Sequence, residues 1–106
     1  MTLKFDGFDW DDGNITKNRD KHGVTCEEIE SFLKNTLFMT PDVQHSDIEQ
    51  RYIVFGKGQN SRPMVGAITF KYTEDGSCLV RPISIRYMHS KEVKKYEEKI
   101  AKTNNR

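Results

Sequence analysis

Cysteine is scarce in this chain, and its placement excludes more than its number. The 106 residues hold two, Cys26 and Cys78, far apart and in no Cys-x-x-Cys or His-x-x-His setting, so a structural zinc site is not expected. No glycine-rich phosphate loop occurs, and no serine triad or cysteine nucleophile pattern declares itself. No apolar run approaches the length needed to span a bilayer, and Met1-Thr2-Leu3-Lys4-Phe5-Asp6 is not a signal peptide. The expectation is a cytoplasmic protein with reduced thiols, no metal, no cofactor and no membrane contact. Internal repeats, low-complexity stretches and interior linkers are also missing. One domain over residues 1–102 follows, with 103–106 as a fraying tail.

What is present is charge, unevenly spread. Charged residues make up 31% of the chain and apolar residues 35%, polar for a globular domain but enough for one modest core. Residues 1–50 carry 5 Lys/Arg against 11 Asp/Glu, whereas residues 51–106 carry 12 against 5. The net charge of +1 therefore conceals an acidic half and a basic half. Such a division suits either a basic face for nucleic acid or two lobes that attract each other.

Periodicity predicts the elements. Leu3, Phe5, Phe8 and Trp10 alternate loosely as a first strand over 3–10. Asp11 or Asp12 caps a helix running to about Lys21, with Gly23 as its terminator. Thr25 and Glu28 form a capping box before a second helix with Ile29, Phe32 and Leu33 on one face, ending near Lys34-Asn35. Strands follow at 37–40, 51–55, 64–72 and 78–88, with Glu74-Asp75-Gly76 as a hairpin turn. In the last strand alternation puts Ile83 and Ile85 on one face and Ser84 and Arg86 on the other, while Pro82 signals an edge or a bulge. A final helix opens at Ser90 with Val93, Tyr96 and Ile100 as its apolar stripe. The expected fold is α+β: an antiparallel sheet with two N-terminal helices and one C-terminal helix packed on it.

Polar residues at element edges are the candidates for chemistry: Lys17, Lys21 and His22; Asp42, His45, Glu49 and Arg51; and Arg86. Each has a bland alternative. His22 can serve as a helix C-terminal cation, His45 can brace its loop through Asp42, and Arg51 can pair with Glu49. Arg86 is the strongest candidate. On the polar face of an isoleucine-rich strand it needs an anion, either a carboxylate or a phosphate. Trp10 and Tyr96 read as core, and Glu92 as a first-turn helix charge.

The sequence also resembles the BrnT toxins of bacterial toxin–antitoxin pairs. The resemblance is carried in order by Phe8-Asp9-Trp10-Asp11, Gly13-Asn14, Lys17-Asn18, Lys21-His22-Gly23-Val24, Pro41-Asp42, His45-Ser46, Glu49, Arg51-Tyr52 and Gly56. It continues through Ile83-Ser84, Arg86, Met88, Lys91-Glu92, Lys95 and Tyr96-Glu97. The chain departs from the family pattern at Cys26, Gln50, Pro82 and Ile85. The resemblance implies a RelE-like fold, a metal-independent endoribonuclease that blocks translation, an RNA substrate on or off the ribosome, and a cognate antitoxin through which the complex meets operator DNA.

RNA cleavage without metal needs a base for the 2′-hydroxyl, a cation for the pentacoordinate phosphate and an acid for the leaving 5′-oxygen. The leading expectation has Arg86 and Arg51 stabilise the phosphate, Lys21 orient it, and His22 or His45 move protons. Lys17, Lys91, Lys94 and Lys95 are then expected to attract RNA. The competing expectation is an inactive antitoxin-binding module serving operon autoregulation; a plain interaction domain would leave the ordered motifs without a reason.

Overall fold

The computed structural model describes residues 4–45 and 49–104. Two helices, the first of them polar, precede the main run of strands. Helix α1 (Asp12–His22) starts where the Asp11 carboxylate accepts the Asn14 N–H at 2.7 Å, and stops at Gly23, whose φ of 67° suits glycine. Helix α2 (Cys26–Lys34) starts at the capping box, with Thr25 and Glu28 each accepting the other's backbone N–H. It buries Ile29, Phe32 and Leu33.

Among the described residues five strands form one sheet in the order β1-β5-β4-β3-β2: β1 (Gly7–Phe8), β2 (Thr36–Pro41), β3 (Tyr52–Lys57), β4 (Pro63–Tyr72) and β5 (Cys78–Tyr87). Helix α3 (Ser90–Asn104) ends the described chain. The fold is α+β, with elements in the expected order. The first strand corrects the expectation in two ways. It has two residues, and it pairs parallel to β5 through Gly7↔Leu79 and Phe8↔Val80, so the sheet is mixed and only β2 to β5 form an antiparallel meander. Local alternation encodes which face a side chain takes but not which way its strand runs.

One sheet face and α2 enclose the core: Val24, Ile29, Phe32, Leu33, Val54, Met64, Ile68, Val80 and Ile85. Helix α1 joins it without an apolar stripe. Its buried residue is Asn18, which accepts the Ile85 N–H at 2.9 Å through Oδ1 and donates to the Asn14 carbonyl at 2.8 Å. One turn earlier, Asn14 donates to the Pro82 carbonyl at 2.9 Å. Two asparagines four residues apart thus bond the stretch of β5 that lies beyond its short pairing with β1. Open strand edges need such partners.

Pro82 marks a bulge, and it lies where β5 has run past its pairing with β1. The β4–β5 register runs Ala67↔Ser84 and then Ile68↔Pro82, leaving Ile83 as the extra residue. The bulge overturns simple alternation. Pro82 and Ile85 are buried on the core side, while Ile83 joins Ser84 and Arg86 along a groove on the opposite face. Gly66 permits it: a Cβ there would lie 2.6 Å from the Ser84 carbonyl oxygen and 2.3 Å from Ile85 Cδ1. Helix α3 meets this second face. Tyr96 is 4% exposed and lies edge-on to Phe38, at 6.1 Å between ring centroids.

Candidate functional site

The second face of the sheet carries a groove of about 450 Å³. Its floor is apolar, from Ile53, Val65, Ala67 and Ile83. Three cations reach it from separate elements: Lys17 of α1, Arg51 just before β3, and Arg86 of β5. Two carboxylates, Asp42 and Glu92, share its wall.

Arg86 owes its aim to the bulge and to α3. Its Nη1 donates to Glu92 Oε1 at 2.7 Å and its Nη2 to Oε2 at 2.9 Å, a parallel fork of charged bonds. Nη1 also approaches the Tyr87 carbonyl at 3.3 Å. Glu92 Oε1 accepts the His89 N–H at 2.9 Å, so one carboxylate caps α3 and holds the arginine. The bond from Arg86 is the main reason that the Glu92 pKa falls to about 2. Glu92 is therefore anionic at neutral pH and serves as a fixed counter-ion. The anion that Arg86 required is a carboxylate. Glu92 is the residue that sequence reasoning placed as an ordinary helix charge; a strand's arginine followed within one turn by a helix-opening glutamate was the available signal.

His22 ends α1, with Nε2 3.4 Å from the Ser84 hydroxyl. Burial lowers its pKa, and the charges of Lys21, Arg86 and Lys17 press the same way. The ring is neutral at pH 7 and able to take a proton. It is no cationic helix cap: backbone N–H groups of Gly23 and Val24 satisfy the Arg19 and Asn18 carbonyls. Ser84 lines the groove, so His22 sits against the wall that also carries Arg86.

The other candidates divide. Arg51 lines the groove and pairs with Glu49 at 3.6 Å. Lys21 is exposed and does not line the groove; its charge helps to lower the His22 pKa. His45 closes a 3-10 turn, Val43–His45, and its side chain lies outside the described residues. Lys91, Lys94 and Lys95 are exposed on α3, and Lys95 borders a second hollow adjoining the groove. Among the described residues no group of three His, Cys, Asp or Glu side chains could hold a metal ion. Nor is any helix among them long and apolar enough to cross a membrane.

A small α+β domain with three cations around one apolar-floored groove and a neutral imidazole at its wall defines a protein suited to a phosphate-bearing polymer. Residues 10–92 match the family model described as "Ribonuclease toxin, BrnT, of type II toxin-antitoxin system". The chain belongs to that family, and membership implies an RNA substrate and an antitoxin partner. No curated protein matches the chain.

Proposed function

We propose that this protein is an endoribonuclease that cleaves mRNA by attack of a 2′-hydroxyl on the adjacent phosphate, without a metal ion, and so inhibits translation. The observation that carries the reading is the convergence of Lys17, Arg51 and Arg86 on one groove beside a neutral His22. His22 takes the 2′-hydroxyl proton. Arg86 and Arg51 stabilise the pentacoordinate phosphate, where charge accumulates. Lys17 holds a neighbouring phosphate, and Lys21 helps to keep His22 unprotonated. The 2′-oxygen bonds to phosphorus as the bond to the 5′-oxygen breaks, leaving a 2′,3′-cyclic phosphate and a 5′-hydroxyl. His45 is assigned the proton donated to that leaving oxygen. Glu92 is a positioning residue that orients the Arg86 fork. The exposed lysines 91, 94 and 95 raise the local concentration of RNA.

In the cell the antitoxin would neutralise this activity and carry the complex to operator DNA. Induced expression in a bacterial host, with and without Arg86→Ala, tests the reading. Growth arrest with new RNA ends, both lost in the folded variant, together with purified cleavage that a chelator does not inhibit, is the expected result. Normal growth and intact RNA from well-folded wild-type chain would replace it with the inactive antitoxin-binding module.

A further inference from the structure

Next to the groove, past Glu92, lies a second hollow of about 290 Å³, bordered by Phe38, Phe55, Glu92, Lys95, Tyr96 and Lys99. Phe55 and Glu92 line both spaces, so the two adjoin. Phe38 and Phe55 are direct cross-strand partners on β2 and β3, which puts their rings on the same sheet face. Tyr96 meets Phe38 edge-on, and its hydroxyl is buried without a hydrogen-bond partner among the described residues. The Lys99 ammonium lies 4.9 Å from the centre of the Phe38 ring, and Lys95 and Lys99 are both exposed.

We infer that this hollow is a nucleobase subsite, which receives a base flanking the phosphate held in the Arg86 groove. The inference rests on the ribonuclease reading for its orientation, but its ligand chemistry is read from the hollow itself. Aromatic side chains beside a phosphate-binding track are what an unstacked base requires, because every base offers a π-face. The volume, near the roughly 300 Å³ lower end of small-ligand pockets, suits one base and its sugar. Lys95 and Lys99 at the rim match the negative charge of the next phosphate. Within the hollow, Phe38 and Phe55 provide the stacking surface and Tyr96 closes one side. The subsite would bias which nucleotide lies beside the cut, while Arg86 and His22 act on the bond itself.

The test is a titration of the full chain with the four nucleoside 3′-monophosphates and, separately, inorganic phosphate, followed by NMR of the aromatic side chains. Saturable shifts of the Phe38, Phe55 and Tyr96 rings with nucleotides but not with phosphate are expected, with one base binding best. Phe38→Leu should raise that Kd about tenfold, the loss that one base–aromatic stack predicts. Lys99→Ala, at an exposed position, should weaken nucleotide binding without altering the fold. RNA-end mapping with Phe38→Leu should show cuts of relaxed base preference. Rings that stay unmoved by all four nucleotides, or that move equally with phosphate alone, overturn the subsite and leave the hollow to a side chain of the antitoxin. A wild-type chain whose rings titrate but which cleaves no RNA would keep the subsite and remove the ribonuclease reading.

Discussion

Arg86 and Glu92 face each other through two parallel bonds of 2.7 and 2.9 Å, one residue near the end of β5 and the other in the first turn of α3. The pair joins the sheet to the last helix and fixes the direction of the groove's best-oriented cation. Removing Arg86 should cost about 100-fold or more in cleavage, the usual loss when a charge-stabilising donor is deleted. Lysine at this position should restore little, because a point charge cannot reproduce the fork. Single-turnover cleavage of a short RNA by wild type, Arg86→Ala and Arg86→Lys checks this; near-wild-type rates for the lysine variant would count against a fork geometry.

The same pair makes the fold acid-sensitive. The Glu92 pKa is depressed to about 2 in the folded chain, chiefly by Arg86, against roughly 4.3 for a free glutamate. A depressed carboxylate contributes stability that is present above the unfolded pKa and is lost as pH falls through the folded one. The window is therefore about pH 4.3 down to about 2. With both side chains about a third exposed, the contribution is on the order of 1–2 kcal/mol after solvent screening. Glu92→Gln should be less stable at pH 7 and should approach wild type near pH 2, as followed by urea unfolding. It should also slow cleavage, since the arginine loses its guide.

His22 should govern the acid limb of the activity profile. Its pKa is lowered, first by burial and then by Lys21, Arg86 and Lys17, so activity should persist below the usual imidazole range. Lys21→Ala removes one of the repelling charges without touching the groove lining, and should move the acid limb to higher pH. The pH dependence of kcat/KM measures both, and a limb that Lys21→Ala leaves in place would dissociate His22 from the proton transfer.

Asn18 should be the most sensitive position of α1. It is fully buried and receives the Ile85 N–H. Asn18→Ala strands that donor and should destabilise the fold by about 2–3 kcal/mol. Chemical denaturation gives the number, and a loss under about 0.5 kcal/mol, the level of an ordinary surface change, would deny the asparagine its role at the sheet edge.

Gly66→Ala should cost about 3 kcal/mol, because the new methyl meets the Ser84 carbonyl and the Ile85 side chain at the bulge. The displaced backbone is the segment that aims Ser84 and Arg86. Cleavage should therefore fall even where the variant remains folded, a combination that thermal melts and rate measurements on one sample can separate.

Much of this architecture was legible in the residues. Capping by Asp11 and Thr25, the stop at Gly23, the apolar positions of α2 and the four meander strands all follow from local chemistry acting over a few residues. The polar-face arginine with a required anion also followed, since a cation on a half-buried strand has few alternatives. Tertiary structure decided the rest. The parallel pairing of β1, the bulge that turns Ile83 toward the groove, the buried Asn18 and the choice of Glu92 as the partner of Arg86 all depend on groups that the folded backbone brings together. No periodicity records them, because a hydrogen bond between Asn18 and Ile85 or a clash at Gly66 exists only once separate segments share one small volume.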